Sequence, residues 1–478
     1  MDDAPLIALT ADRPPELLDA GANQTIFQDH IYGDYVRWQK TLPPPSEEIS
    51  PRFVLTTVDQ AVHRALIDPG PVHINCQFRE PLEPTENKFT RHPDQRLTAW
   101  EESGNPFSSY ASSTTICSQQ DLQRITDLIH GTQKGLVILG RLAPHQQHSP
   151  AISDLLDKLT WPVHADIGSG FRLAVPQWPV FDELTMQTSR WFKEAPPNTV
   201  LHLGGTFISK RLQSLLQKNP PAQYIHVHEN SRRIDPGHIV SHRLACDVDE
   251  FCAALTARLA LATPFSGKDT AAHEAIDAHF LGTGLSEPLI ARLISRHLPQ
   301  GHALFLSNSQ PVRDMNEFAA LDGPASIVGT NRGASGIDGI VASAVGFARG
   351  LEKPPTLIVG DTALLHDLNS LHLAANSPQP LTIICINNNG GGIFNRLPIS
   401  EFKDVFEPFF VAPHNRTFQS AAAMFDLPWT NPASQQELLE TLQGAWRSGR
   451  SSIIEISISQ QDEIRQRKEL SKLLRRQA

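Results

Sequence analysis

Short apolar runs alternate along the chain with longer stretches in which apolar residues recur every three or four positions. The runs fall at 6–10, 72–76, 136–139, 163–167, 200–203 and 224–227, then at 303–306, 326–328, 356–359, 382–386 and 453–458. Many are nearly all apolar, as expected of parallel strands buried on both faces. Helical periodicity fills intervals at 53–66, 122–129, 285–298, 337–349, 364–374 and 438–446. This alternation predicts an α/β chain of doubly wound parallel sheets. Two Pro- and Ser-punctuated stretches divide it into a short first segment, a middle α/β domain and a last α/β domain. One begins at Glu80-Pro81-Leu82-Glu83-Pro84 and runs to Ser118; the other covers 263–268. The first segment holds only two clear strands and one clear helix, fewer than a covered parallel sheet usually needs.

Composition narrows the class. With 40% hydrophobic and 19% charged residues, the chain is not wholly disordered. A net charge of −10 makes it a poor general binder of nucleic acid or anionic membrane. No apolar run is long enough to span a bilayer, and Met1-Asp2-Asp3 lacks the basic start of a secretory signal. Five cysteines with no C-x-x-C pair indicate neither a disulfide framework nor a zinc knuckle. A cytoplasmic, reducing compartment is expected. The basic stretch 465–476, with Leu470, Leu473 and Leu474 interspersed, reads as a solvated surface helix.

The densest candidate chemistry lies in the last domain. Gly360-Asp361 follows the run at 356–359, and Asn387-Asn388-Asn389-Gly390-Gly391-Gly392 follows 382–386. Ligands of open α/β sheets bind outside the carboxyl ends of strands, so both tips are expected to face one crevice. The Asp361 carboxylate, the Asn388 amide oxygen and the Gly390 carbonyl form a hard oxygen set suited to Mg²⁺. The glycines would let backbone approach a phosphate. Either dipeptide alone is an ordinary turn; the pair, each after a buried strand, is what points to a site. The loop NRGASGIDG at 331–339 offers backbone N–H groups at a helix start, with Arg332 as a planar fork for a carboxylate. Ser309 and Arg313 lie one helical turn apart after another strand. Arg13 follows the first strand, so three strand-end arginines (Arg13, Arg313, Arg332) predict a polyanionic small-molecule substrate. Lys210 and Arg211, at a middle-domain helix start, are weaker additions.

These residues resemble the thiamine-diphosphate enzymes. Gly360-Asp361, 25 residues, then Asn387-Asn388 is similar to their diphosphate–metal signature, with Thr362 where a third glycine is usual. The stretches ADRPPEL at 11–17, GANQ at 21–24, NRGASGIDG, and NNNGGGIFNRLP at 387–398 resemble one family in particular. It is the 2-succinyl-5-enolpyruvyl-6-hydroxy-3-cyclohexene-1-carboxylate synthases of menaquinone or phylloquinone biosynthesis. The resemblance implies three α/β domains: a pyrimidine-binding domain at 1–84, of which only the C-terminal part is present, a central domain at 119–262 and a diphosphate-binding domain at 285–478. Linkers would occupy 85–118 and 263–284. It implies thiamine diphosphate with Mg²⁺ or Mn²⁺, held by Asp361, Asn388 and Gly390, with Gly333, Ala334, Ser335, Gly360 and Gly391 beside the cofactor and Ile337 propping it in a bent form. It implies 2-oxoglutarate and isochorismate as substrates, met by Arg13, Gln24, Ser309, Arg313 and Arg332, less firmly by Lys210 and Arg211, with Ile393 and Phe394 as an apolar wall. A homodimer or homotetramer with its active site between subunits is implied too. The family's activating glutamate precedes the ADRP motif and has no counterpart here, as expected of a misplaced start, a fragment or a chain that has lost that half of its site. An inactive cofactor-binding remnant, or another thiamine-diphosphate 2-oxoacid decarboxylase or carboligase, stays open as an alternative.

Overall fold

The computed structural model describes residues 4–46, 48–83, 95–111, 113–173, 178–230, 232–260 and 270–477. The chain forms two units, 1–114 and 115–478. In the first, strands β1 (Leu6–Asp12), β2 (Trp38–Leu42) and β3 (Pro71–Gln77) form a parallel sheet in the order β1-β3-β2. Val72 and Ile74 on one face of β3 pack on Ala61 and Ala65 of helix Pro51–Ile67. The alternate residues His73 and Asn75 face the other side, where both bond to Thr10 and Asn75 also donates to Asp12.

The second unit holds two parallel sheets. One contains β4 (Gly135–Leu139), β5 (Val163–Ala165), β6 (Thr199–Leu203), β7 (Gln223–Val227) and β8 (His242–Leu244), in the order β5-β4-β6-β7-β8. The other contains β9 (Ala303–Leu306), β10 (Val328–Thr330), β11 (Pro355–Gly360), β12 (Thr382–Asn387), β13 (Trp429–Thr430) and β14 (Ser452–Ser457), in the order β10-β9-β11-β12-β14-β13. Strand side chains alternate faces, so each apolar strand feeds two cores. Leu304, Leu306, Ile358, Ile384 and Ile454 pack with helices Ala271–Phe280, Glu287–His297, Gln310–Phe318 and Gln435–Arg447. Phe305, Leu357, Val359, Ile383 and Ile453 pack on the opposite face with Ile340–Leu351 and Leu371–Ala375. The expected doubly wound arrangement is thus present around this sheet, and the same alternation divides Val137 and Leu139 from Leu136 and Ile138 in β4.

Several expectations shift. The helix expected at 337–349 begins at Ile340, because Gly339 sits at φ +70° and leaves Ile337 in the preceding loop. The helix at 364–374 is two pieces, Asp361–His366 and Leu371–Ala375. Part of the first Pro/Ser-rich stretch carries helix Gln95–Ser103, while 84–94 and 263–268 lie outside the described residues. Within 263–284, helix Ala271–Phe280 buries Ala272, His273, Ile276 and Phe280. The C-terminal helix Gln460–Gln477 is not simply solvated: Leu470 and Leu474 join the core. Burial of this kind contributes about 1.5–3 kcal/mol per leucine.

A buried polar chain runs beneath the last sheet. Asp182 pairs with Arg172 (3.1 Å) and His273 (2.8 Å). The other imidazole nitrogen of His273 accepts from Arg292 (2.8 Å), which fixes Nδ1 as acceptor and Nε2–H as donor. Arg292 grips Asp277 with two bonds of 2.8 and 2.7 Å and donates to the Ala319 carbonyl, which Arg172 also reaches.

Candidate active site

The loops after β9, β10, β11 and β12 emerge at the same end of the last sheet, because these strands are mutually parallel. Strand order reverses about β9, the place where open sheets form a ligand crevice. Asp361 opens its helix directly from the end of β11 and is 2% exposed. Its Oδ2 accepts from the Gly390 N–H (2.9 Å) and from His414 (3.1 Å); its Oδ1 accepts from the Thr362 N–H and hydroxyl. Asp361 and Gly390 are thereby brought together from separate strand ends.

Asn388 completes the set. Its Nδ2 donates to Glu287 (2.8 Å) and its backbone carbonyl accepts from Gln460 (2.8 Å). Its Oδ1 is buried and has no hydrogen-bond partner. Leaving such an acceptor unsatisfied costs about 1–3 kcal/mol, a cost that a cation removes. A carboxyl oxygen, an unpartnered amide oxygen and a backbone carbonyl are hard donors, so these residues fit Mg²⁺ or Mn²⁺. The described residues contain no cluster of three or more His, Cys, Asp or Glu side chains able to hold a metal, so a site here draws on Asn388 and backbone.

The glycines of this loop have a reason that the sequence did not reveal. A Cβ at Gly390 would lie 2.1 Å from the Val411 carbonyl oxygen, and one at Gly391 2.0 Å from that of Phe410. Gly390 also sits at φ +120°, and the Gly391 N–H donates to Val411 (2.7 Å). Close approach of backbone to backbone therefore demands these two glycines. Phe394 stacks edge-on against Phe410 at 5.7 Å, and Ile393 lies beside it in the turn Gly392–Arg396.

A second group gathers cations. Ser309 caps helix Gln310–Phe318 at φ +67°, an uncommon backbone state that concentrates at functional sites. One turn on, Arg313 donates to the Ser309 carbonyl, so the two do share a face. Burial lowers the Arg313 pKa, and the nearby charges of Arg332 and Arg396 lower it further. A guanidinium that feels two other guanidinium groups marks a locally positive place suited to anionic ligands. Arg396 was not singled out from sequence, although it stands inside the NNNGGGIFNRLP stretch; it bonds to Gln310 (3.4 Å). The loop 331–339 is tied to Asn308 through the Gly336 carbonyl, and Gly333, Ala334, Ser335 and Ile337 are exposed in it. A cavity of about 290 Å³ adjoins these groups, lined in part by Gln310, Asn388, Arg396 and Gln460.

Four further expected residues lie outside these loops. Arg211 is turned to the carbonyl and carboxylate of Glu183 (2.9 and 3.1 Å), and Lys210 is exposed at the start of helix Lys210–Lys218. Arg13 and Gln24 belong to the unit 1–114. The Arg13 N–H bonds to Asp12 (2.8 Å) at the end of β1, and Gln24 is exposed at φ +59°. Sequence reading missed Glu287, Arg467 and His414, whose roles depend on contacts across 53 to 180 positions.

Two family models match the chain. The middle domain of thiamine pyrophosphate enzymes covers 92–306, and the C-terminal TPP-binding domain covers 310–456. Among solved structures, benzoylformate decarboxylase from Polynucleobacter necessarius superposes with a TM-score of 0.69 at 13% identity, covering 96% of this chain and 83% of that one. A Mycobacterium smegmatis protein described as thiamin diphosphate-dependent gives 0.67 at 15% identity, with the same coverages. These two establish the fold. Curated relatives named 2-succinyl-5-enolpyruvyl-6-hydroxy-3-cyclohexene-1-carboxylate synthase are closer. The protein from Salinibacter ruber is 41% identical over 95% of this chain and 78% of its own length. Those from Rubrobacter xylanophilus (41%) and Chlorobium phaeobacteroides (36%) each match 98% of this chain and 82% of their own. Similarity of that extent, on a parallel-sheet fold with the strand-end residues in place, means that the chain belongs to the 2-succinyl-5-enolpyruvyl-6-hydroxy-3-cyclohexene-1-carboxylate synthase family of thiamine-diphosphate enzymes.

Proposed function

We propose that the chain releases CO₂ from 2-oxoglutarate and joins the remaining four-carbon unit to isochorismate by 1,4-addition, in menaquinone or phylloquinone biosynthesis. The observation that carries this reading is the similarity to the named synthases along nearly the whole chain. Bound thiamine diphosphate supplies a nucleophilic carbon and an electron sink for decarboxylation. Asp361, the Asn388 Oδ1 and the Gly390 carbonyl would hold Mg²⁺ or Mn²⁺, whose charge would offset that of the diphosphate. Gly333, Ala334, Ser335, Gly360 and Gly391 would contact the cofactor, and Ile337 would support it from an otherwise polar loop.

Both substrates are dicarboxylates, and Arg313 and Arg332 hold their carboxylates while Ser309 offers a hydroxyl. Arg13 and Gln24 serve the same substrates, with Lys210 and Arg211 as outer contacts. Ile393 and Phe394 shield the reacting carbon from water. The protein acts as a homodimer or homotetramer in the cytoplasm. Apolar side chains exposed on the first unit, among them Leu9, Val54, Val58 and Leu66, support a subunit contact. No helix among the described residues is long and apolar enough to cross a membrane.

The test is product analysis with the cofactor and Mg²⁺. The named carboxylate, formed from 2-oxoglutarate plus isochorismate, supports the reading. Turnover of pyruvate in its place points to a different carboligase, and weak or no cofactor binding without turnover of any substrate points to an inactive remnant. Arg332→Ala is expected to lower kcat/KM roughly 10- to 100-fold, the loss typical of one charged hydrogen bond. Cofactor affinity should stay within about twofold, since the metal set is untouched. Unchanged turnover would remove Arg332 from the substrate site.

A further inference from the structure

Asn388 has an ambiguity that its neighbours must resolve. The two ends of a carboxamide are nearly the same size, so its shape alone does not decide whether oxygen or nitrogen faces a ligand. Only the oxygen can meet a cation. On the other side of Asn388 stands Glu287, 3% exposed, whose Oε1 takes the Asn388 Nδ2–H at 2.8 Å. An amide flipped there would turn its N–H groups to the cation and forfeit the Nδ2–H bond to Glu287, whose other oxygen is already taken by Arg467.

Glu287 is itself held. Its Oε2 accepts from Arg467 (2.9 Å), and its backbone N–H donates to Glu463 (3.1 Å). Arg467 forks onto both oxygens of Asp314 (2.8 and 2.6 Å) and contacts Glu463 at 2.5 Å. Three carboxylates on three helices thus converge on one guanidinium, with the Glu287 and Asp314 side chains each 3% exposed. Gln460, on the same C-terminal helix as Arg467, grips the Asn388 backbone carbonyl and also bonds to Asn395 (2.9 Å). Asp314 follows Arg313 directly, so the same guanidinium also anchors helix Gln310–Phe318.

We propose that Glu287, fixed by Arg467 of the C-terminal helix, is a positioning residue that turns the Asn388 amide so that Oδ1 faces the divalent metal. The inference rests on the metal reading of Asp361, Asn388 and Gly390. Partners of this kind, one step behind a ligand, are typically worth 10- to 100-fold in metal affinity.

Mn²⁺ binding to the full chain, followed by loss of the free-ion EPR signal with thiamine diphosphate present, tests it without recourse to turnover. Glu287→Gln keeps the shape but must present an N–H either to Asn388 or to Arg467. It is expected to raise the Mn²⁺ Kd about tenfold. Asn388→Ala should raise it as well, and the double variant should bind no more weakly than Asn388→Ala alone, because Glu287 acts through that amide. A merely structural Glu287 would add its loss to that of Asn388→Ala, which overturns the inference. Asp361→Asn separates the two levels. A loss of Mn²⁺ affinity there, with none in Glu287→Gln, overturns only the positioning role; no loss in either overturns the metal reading and this role with it. Should Glu287→Gln not fold, Arg467→Lys keeps the positive charge but loses the fork. A Kd raised threefold or more supports the proposal, and an unchanged one overturns it.

Discussion

Asp361→Ala should weaken cofactor binding in the presence of Mg²⁺ by more than about 100-fold, because removing a charged ligand exceeds the 10- to 100-fold cost of removing a group behind one. Calorimetric titration with thiamine diphosphate, with and without Mg²⁺, measures it. The same change strands the Gly390 N–H and the His414 imidazole, both of which bond to Oδ2. Stability should therefore fall by about 1–3 kcal/mol. Asp361→Asn separates these effects: it keeps an acceptor for Gly390 and so retains most of the stability, yet loses the ligand charge. Wild-type affinity in the alanine variant would mean that the diphosphate is anchored elsewhere.

Arg292→Met should destabilise the second unit by about 1–3 kcal/mol, the cost of leaving its buried acceptors unsatisfied, since Asp277 is 35% exposed and keeps Arg296. Arg292 is 2% exposed and serves the Asp277 carboxylate, the His273 imidazole and three main-chain carbonyls at once. Methionine fills much of the volume but satisfies none of them. Urea denaturation at neutral pH measures the loss, and a change below about 1 kcal/mol would show that these groups find other partners. The acid limb carries a second signature. Burial works against the Asp277 carboxylate, yet Arg292 and Arg296 hold its pKa down to about 2. A depressed carboxyl pKa stabilises the fold above the unfolded value and loses that contribution as pH falls towards the folded one. The wild type should therefore weaken as pH drops from about 4 to about 2, and Arg292→Met should show a shallower slope there.

The interior strands were legible from sequence because both of their faces are buried. Runs such as Ile383-Ile384-Cys385-Ile386 need no periodicity to betray them. Three strands escaped, Trp38–Leu42, His242–Leu244 and Trp429–Thr430, and each lies at the edge of its sheet. These three carry polar residues such as Lys40 and Arg243 and are short, so they offer no apolar run. The candidate site divides in the same manner. Asp361, Asn388, Ser309 and Arg313 were legible because they directly follow strands. Glu287 and Arg467 were not, because each occupies an unremarkable helical position and acquires its partners only when distant helices converge. The C-terminal helix was misjudged for a related reason: the many charges around Leu470 and Leu474, from Arg465 to Glu469 and at Lys472, Arg475 and Arg476, hid a stripe one turn long.

The glycines after β12 bear on what a sequence signature can diagnose. Their necessity comes from the carbonyls of Phe410 and Val411, which any side chain at 390 or 391 would strike. A descendant that had abandoned its cofactor would still be selected to keep them, as long as it kept the segment packed against that loop. Gly360 is under no such constraint, since a Cβ there meets nothing within 4 Å and its φ is an ordinary −79°. Across a lineage, a conserved glycine pair therefore testifies to retained architecture. Retained chemistry has to be judged at Asp361 and Asn388, and drift there beneath intact glycines would be the mark of a pseudoenzyme.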